Sequence, residues 1–364
     1  SLLAMRRDFE PVVGLVRHRW EPDHPAVKAC RERSRDVRVT IDARLQLAVA
    51  GILERAAKSS GAGKGAGVVL DAASGEILAS VSYPWPEVDG GAGATDAALD
   101  RARYGLYPPG STFKLITAAA ALRQDPRASA REFVCQRFPN GRIGTRIPGF
   151  GPPIYDDVHD EAAHGRLVMH GAVVKSCNGY FAQLAVSLGS EPLARTAAEA
   201  GITLNTSPAP ERVRANLPHA GYGQGEVVAT PLRMARVAAA IGSDGVIREA
   251  PIVVGPAGQK ETTDSAWITS DAARALALEL RDAVTQGTGR QLKDHPAHIA
   301  GKTGTAEIDD AAPHAWFVGF APSGQAPRKI AFAVVLEHAG YGGQAAAAVA
   351  GQVATAAASL GFIK

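Results

Sequence analysis

The spacing of apolar positions changes several times along the chain, and each change predicts an element. Residues 1–38 show no regular period. Thr40 or Asp42 then caps a helix that carries Leu45, Leu47, Val49 and Leu53 to about Lys58. After a glycine-rich turn, Gly67-Val68-Val69-Leu70-Asp71 reads as a buried strand, and Glu76 to Ser82 as its return across the Ala72–Gly75 turn. Pro84 and Pro86 end that hairpin. A helix starts at Ser111, after Pro108-Pro109-Gly110, and runs to about Leu122. Residues 124–165 are rich in Pro and Gly and read as irregular, a length that in a compact domain implies a function or short hidden elements. Helical spacing returns at about 166–175, 178–188 and 191–200. Thr230-Pro231 opens a helix from Leu232 to Ile241, and Ser270 or Asp271 caps another over 270–285. Three late strands are predicted, at 297–303, 314–320 and 329–337, and an alanine-rich helix from about Gln344 to Leu360 closes the chain.

The five strands can share one sheet, with helices on both faces and residues 111–290 inserted between the early hairpin and the late strands. The chain has 364 residues, enough for one large domain or two, and its 46% apolar and 21% charged content is that of a globular protein. With 39 Lys and Arg against 36 Asp and Glu, the net charge of +3 gives no indication of nucleic-acid binding. Basic residues from Arg6 to Arg38 fit a solvated surface better than a flexible edge near a membrane or a polyanion. No run of eighteen apolar residues and no signal peptide of the usual form is present. Opening at Ser1-Leu2-Leu3, without Met, the chain is expected to be a fragment of a longer protein, with residues 1–35 as a lead-in left from an upstream region.

Candidate chemistry lies in three short motifs: Ser111-Thr112-Phe113-Lys114, Ser176-Cys177-Asn178 and Lys302-Thr303-Gly304-Thr305. Each alone has a bland reading, a capping serine, a loop or a strand end. Their order and their placement in suitable elements match a recognised serine acyl-transfer pattern. Positions i and i+3 share a helix face, which sets the Lys114 amine over the Ser111 hydroxyl. A lysine takes a serine's proton only when its own pKa falls, through desolvation and a second cation. Lys302 is the candidate for that cation and for attracting a substrate carboxylate. Ser176 can relay a proton to the leaving amine and Asn178 can hold a substrate amide. Thr303 and Thr305 add hydroxyls for the carboxylate, the N–H groups of Ser111 and Thr305 are candidate oxyanion donors, and Gly304 admits a close ligand.

With those motifs, the chain resembles the transpeptidase domain of penicillin-binding proteins, especially the monofunctional class B type. Supporting stretches are Thr40 to Gln46, Gly67 to Asp71, Gly75 to Ala79, Tyr107 to Lys114, Ser176 to Phe181, Gly223-Gln224-Gly225 and Gly301 to Ala306. The resemblance covers about 36–360 and places the domain at 36–364. It implies an α/β (α+β) fold, a five-stranded antiparallel sheet flanked by helices beside an all-helical subdomain. It implies a D,D-transpeptidase that crosslinks peptidoglycan stem peptides through an acyl-enzyme on Ser111, with Lys114 as base, and that β-lactams inhibit. The expected setting is the outer face of the cytoplasmic membrane, with an anchor outside this chain and a membrane-embedded cell-wall synthesis partner. A D-alanyl-D-alanine carboxypeptidase, a β-lactamase and a non-turnover β-lactam sensor use the same serine and lysine. Between Ser176 and Gly221 no glutamate is obviously placed as a deacylating base, since Glu191 and Glu199 read as helix surface.

No cofactor and no metal are expected. His159, His164 and His170, with Asp156, Asp157, Asp160 and Glu161 nearby, match no ligand template. Cys30, Cys135 and Cys177 form no disulfide framework, although a Cys135–Cys177 bridge is as well supported as two buried thiols if the protein is exported. Tyr222 and Trp316 are candidates for lining a cleft, with Trp316 and Trp85 better read as core or rim aromatics.

Overall fold

The computed structural model describes residues 12–32, 36–61, 63–86, 94–204, 216–254 and 264–363. Two compact units are present. The smaller comprises residues 1–39 with 253–258 and the larger 40–252 with 259–364. Within the smaller unit, the described part holds a helix over Pro25–Glu32, and Val39 bridges Val253 antiparallel.

A five-stranded sheet organises the larger unit. Its strands are β1 (Gly65–Asp71), β2 (Ile77–Tyr83), β9 (Ala300–Ile308), β10 (Ala311–Ala321) and β11 (Ile330–Leu336), in the order β2-β1-β11-β10-β9. Every neighbouring pair is antiparallel. The strands read as nearly continuous apolar runs because both faces are covered. Val69, Phe317, Phe332 and Val334 face one core with Leu45, Val49 and Leu53 of the Ala43–Ser59 helix and Val349 and Val353 of the Ala345–Ser359 helix. The alternate residues Val68, Leu70, Trp316, Val318 and Val335 face the other, with Met234 and Ala238 of the Pro231–Gly242 helix and Leu276 and Leu280 of the Ser270–Thr285 helix.

Local chemistry explains where the elements begin. Of the two cap candidates for the first helix, Asp42 does the capping, accepting from the N–H groups of Arg44 and Leu45 at 2.9 and 3.1 Å. Thr230 caps the helix that Pro231 opens. Thr269, not Ser270 or Asp271, caps the helix after it, accepting from Ala272 N–H at 3.2 Å. The third-motif strand begins three residues later than expected and continues through Gly304 to Ile308, because residues 297–299 are spent in a turn where His298 takes φ 46°.

The inserted region is not wholly helical. Residues 133–167 contain β3 (Phe133–Arg137), β4 (Ile143–Thr145), β5 (Ile154–Tyr155) and β6 (Gly165–Leu167), in the order β5-β4-β3-β6. Strands of two to five residues, broken by Gly and Pro, carry too little periodicity to stand out in sequence. β7 (Val246–Ile247) and β8 (Ser265–Ala266) form a separate short pair. Helices follow at Met169–Lys175, Asn178–Leu188 and Ser190–Glu199. Among the described residues no helix is long and apolar enough to cross a membrane.

Candidate active site

The first motif sits on a turn built from backbone contacts. Gly110 takes φ 52°, and a Cβ there would lie 2.8 Å from the Thr305 carbonyl oxygen. Its N–H donates to Gly223 O at 3.0 Å. Residues Gly110–Phe113 form a 3-10 turn and the α-helix proper starts at Lys114, slightly later than expected. Thr112 Oγ1 donates back to Pro109 O at 2.7 Å, and Trp316 Nε1 holds Pro108 O at 3.0 Å. Trp316 is thus a core support of the motif rather than a cleft wall. Ser111 stays partly exposed while Lys114 is fully buried.

The second motif follows the Met169–Lys175 helix. Ser176 ends that helix in the left-handed conformation, φ 59° and ψ 37°, which residues other than glycine rarely adopt. The Cys177 N–H returns to Ala172 O at 3.0 Å. Cys177 Sγ then caps the Asn178–Leu188 helix, accepting from Tyr180 N–H at 3.3 Å. This sharp turn delivers both the carbonyl and the hydroxyl of Ser176 to the Lys114 amine.

Lys114 Nζ lies 3.0 Å from Ser111 Oγ, 3.2 Å from Ser176 Oγ and 2.7 Å from Asn178 Oδ1, and also meets the Ser176 carbonyl. An ammonium has only three protons for these four acceptors, so one contact is always spare. Lys302 Nζ donates to Ser176 Oγ at 2.7 Å and to Thr303 O at 3.1 Å. The Ser176 hydroxyl therefore stands between two buried amines. Burial pushes Lys114 down to about 8, against the opposing pull of Asp156, Cys177, Asp160 and Asp157. Burial also lowers Lys302 well below its ordinary range, and repulsion from Lys114 adds to that. Desolvation is thus the main cause for both amines, and their repulsion links the charge of Lys302 to that of Lys114.

Asn178 has both ends of its amide engaged, Oδ1 with Lys114 and Nδ2 with Tyr155 O at 3.0 Å. In this arrangement it positions the lysine.

The third motif lies on β9, an edge strand of the sheet. Lys302 and Thr303 are buried, Gly304 is buried and Thr305 is partly exposed. Thr303 Oγ1 pairs with Thr288 Oγ1 at 2.6 Å. A Cβ on Gly304 would meet Pro109 O and Thr112 Cγ2, each at 2.9 Å. The missing side chain thus admits the Ser111 loop. All the residues proposed from the three motifs converge on one place.

Sequence reasoning missed the supports. Asp156 Oδ1 accepts the N–H groups of Asn178 and Gly179, and its carboxyl is held below the usual range: burial opposes the charge, but His164 and Cys135 beside it outweigh that. Thr288 and Tyr155 gave no sequence signal, one lying just past a helix end and the other on a two-residue strand.

Gly223 was legible only as part of the Gly223-Gln224-Gly225 stretch. It takes φ 80°, and a Cβ would fall 2.1 Å from Gly110 O. Gly223→Ala is therefore expected to destabilise the protein by roughly 2 kcal/mol or more and to slow reaction at Ser111. Gly141→Ala, at φ 81° with open space around it, isolates the backbone strain. Thermal unfolding of the two variants checks this; equal losses would show that the Gly110 contact is unimportant.

The remaining residues fall out as follows. Glu199 pairs with Arg123 and Glu191 with Arg195. His159 packs on Tyr341, and His170 pairs with Asp282 at 2.9 Å. Trp85 is 40% exposed and meets the Tyr83 ring edge-on, as a rim aromatic would. Cys135 and Cys177 are both buried free thiols, not a bridge.

Three comparisons bear on this geometry. Residues 65–355 match the family model described as penicillin binding protein transpeptidase domain. A peptidoglycan D,D-transpeptidase PbpA of Mycobacterium tuberculosis is 30% identical over 344 residues, which is 84% of this chain and 68% of the relative. The MrdA D,D-transpeptidase of Acinetobacter baumannii is 29% identical over 345 residues, 78% of this chain and 49% of the relative. Among solved structures, penicillin-binding protein A of M. tuberculosis as its penicillin G acyl-enzyme superposes with TM-score 0.72 at 28% identity, covering 88% of this chain and 80% of that one. A chain from a structure describing coordination of polymerization and crosslinking by a peptidoglycan synthase complex gives TM-score 0.74 at 26% identity, covering 88% and 62%.

Proposed function

Since the chain belongs to the penicillin-binding-protein transpeptidase family, we propose that it is a serine D,D-transpeptidase that crosslinks peptidoglycan stem peptides and is acylated by β-lactams. The observation that carries this is the buried Lys114 amine 3.0 Å from Ser111 Oγ, joined through Ser176 Oγ to a second amine on Lys302.

In this reading the neutral Lys114 takes the Ser111 proton as Oγ attacks the carbonyl of the D-Ala-D-Ala bond. The Ser111 and Thr305 N–H groups receive the developing oxyanion. Ser176 passes a proton to the leaving nitrogen, and the terminal D-Ala departs with its carboxylate from Lys302, Thr303 and Thr305. An amine of a second stem peptide then attacks the ester and frees Ser111. Lys114 acts as a base because burial disfavours its charge, and the Ser176 hydroxyl lets the pair redistribute a proton without water.

Residues 36–364 form the catalytic domain in this proposal, with 1–35 as a lead-in. It works outside the cytoplasmic membrane beside a membrane-embedded wall-synthesis partner, a reading supported by the likeness to a synthase-complex chain. The decisive assay is product partition between water and an added D-amino acid on a D-Ala-D-Ala peptide. The transpeptidase gives an exchange product that grows with acceptor. Hydrolysis alone would assign a carboxypeptidase, and acylation by penicillin with no peptide turnover a sensor.

Lys302→Ala removes the inner partner of Ser176 and the proposed carboxylate anchor. Penicillin acylation is expected to slow by about 10²-fold or more. Unchanged acylation kinetics in a folded variant would remove Lys302 from the mechanism.

A further inference from the structure

A buried cation outside the three motifs has no part in the acyl transfer described above. Arg101 is 1% exposed and opens the short Arg101–Tyr104 helix. A guanidinium taken out of water needs partners with good geometry. Its Nη1 and Nη2 donate to Asp96 O and Oδ1 at 2.8 and 2.6 Å, and its Nε donates to Glu337 Oε1 at 2.9 Å. Asp96 is half exposed and also pairs with Lys64. The Glu337 side chain is only 14% exposed, and its Oε1 accepts a second hydrogen bond, from the Tyr107 hydroxyl at 2.8 Å. Glu337 itself is tied to the sheet, since it follows β11 directly and its N–H donates to Lys64 O at 3.0 Å.

Tyr107 begins the stretch that ends in the nucleophile. Its N–H donates to Ala229 O at 3.1 Å, and its carbonyl accepts from Ala229 N–H at 2.9 Å. Its ring meets Trp316 and His314 edge-on, with centroids 6.0 and 5.5 Å apart. Only Pro108, Pro109 and Gly110 separate it from Ser111. Proline fixes φ, and Pro109 takes −79°. Two prolines in a row leave little backbone freedom to absorb a shift at Tyr107 before it reaches Ser111.

We propose that Tyr107 is a positioning residue for Ser111, with Glu337 and Arg101 as its anchor. The carboxylate fixes where the phenol sits, the prolines carry that position forward, and Ser111 Oγ is kept 3.0 Å from Lys114 Nζ. Burial, and then the Glu337 charge, push the Tyr107 hydroxyl above its ordinary range, so it stays a hydrogen-bond donor. Apolar residues of the same volume would be about as stable as the buried ion pair. What they would lack is a directed bond to the phenol. No proton of the reaction passes through these three residues. The role rests on the acyl transfer proposed above.

The test measures acylation by a chromogenic cephalosporin, separating the limiting rate from the dissociation constant of the complex before acylation, beside thermal unfolding. Tyr107→Phe removes one oxygen and keeps the ring against Trp316 and His314. Its limiting rate is expected to fall about tenfold, the scale of a nucleophile misplaced by less than 1 Å, with the dissociation constant and the unfolding midpoint nearly unchanged. Glu337→Ala should lose at least as much rate. Glu337→Gln keeps an oxygen that can accept from Tyr107, so it should recover most of that rate while its missing charge lowers the unfolding midpoint. Rate and stability thus separate in opposite directions in Tyr107→Phe and Glu337→Gln, which a purely structural role would not produce. Tyr107→Phe acylating at the unaltered rate overturns the proposal, as do rates that simply follow the unfolding midpoints across the variants. An unaltered protein that the drug does not acylate would instead remove Ser111 as the nucleophile, and the positioning role with it.

Discussion

Benzylpenicillin is expected to add once to the protein, as an ester on Ser111, and Ser111→Ala to abolish the adduct. Ser111 is a partly exposed hydroxyl with a buried amine 3.0 Å away. It also sits in a first helical turn, where backbone N–H groups lack preceding carbonyls and negative charge is favoured. A β-lactam carries a strained amide and a nearby carboxylate, matching the proposed oxyanion donors and the Lys302–Thr305 segment. Ring opening leaves the nitrogen tethered to the acyl group, where it obstructs an incoming nucleophile. Neither Glu191 nor Glu199 stands with the motifs, each being paired to an arginine on its own surface. The ester is therefore expected to persist. Intact-protein mass spectrometry should show one added drug mass, mapped to the peptide containing Ser111. An adduct surviving in Ser111→Ala, or none in the unaltered protein at millimolar drug, would falsify the nucleophile assignment.

Acylation is next expected to speed up with pH and to level off above about pH 8. The reactive form of Lys114 is the neutral amine, and burial holds its pKa at about 8 instead of the ordinary value. Below that pKa the neutral fraction falls about tenfold per pH unit, so the rate must fall with it. Above it the base is fully available and the profile is flat. Because Lys114 and Lys302 interact, the apparent midpoint belongs to the pair. Lys114→Ala is expected to cost about 10²–10⁴-fold in acylation and to remove the rise with pH. Stopped-flow acylation with a chromogenic cephalosporin, run from about pH 6 to 9 so as to bracket that midpoint, reads both. A variant that keeps the same slope would show that another group titrates.

The five-stranded sheet and its covering helices were readable because their residues hold one pattern over most of each element. Val68 to Leu70, Phe317 to Phe320 and Ile330 to Leu336 are apolar on both faces and could hardly be anything else. The three motifs were readable because their chemistry is local: Ser111 and Lys114 share one turn, and Ser176 and Asn178 flank one residue. What escaped is non-local. Asp156 acts on Asn178 from 22 positions away and Thr288 on Thr303 from 15, through strands and turns too short to carry a period. A second demand on Gly304 escaped for the same reason. Its need for a small side chain comes from Pro109 and Thr112, which no spacing in the sequence brings near it.

The close approaches at Gly110, Gly223, Gly304 and Gly342 carry a consequence for how this protein can change. Gly110 leaves room for Thr305 O, Gly223 for Gly110 O, Gly304 for Pro109 O, and Gly342 for Gly304 O at 2.2 Å. Each glycine makes way for the main chain of another segment, so no side-chain rearrangement nearby can absorb an added carbon. Substitutions at two of these positions should not combine as independent losses, since the first already separates the segments that the second would push apart. Variation that lowers sensitivity to an inhibitor while keeping turnover is therefore confined to side chains around this backbone stack, and a lineage under drug selection would carry the four glycines unchanged.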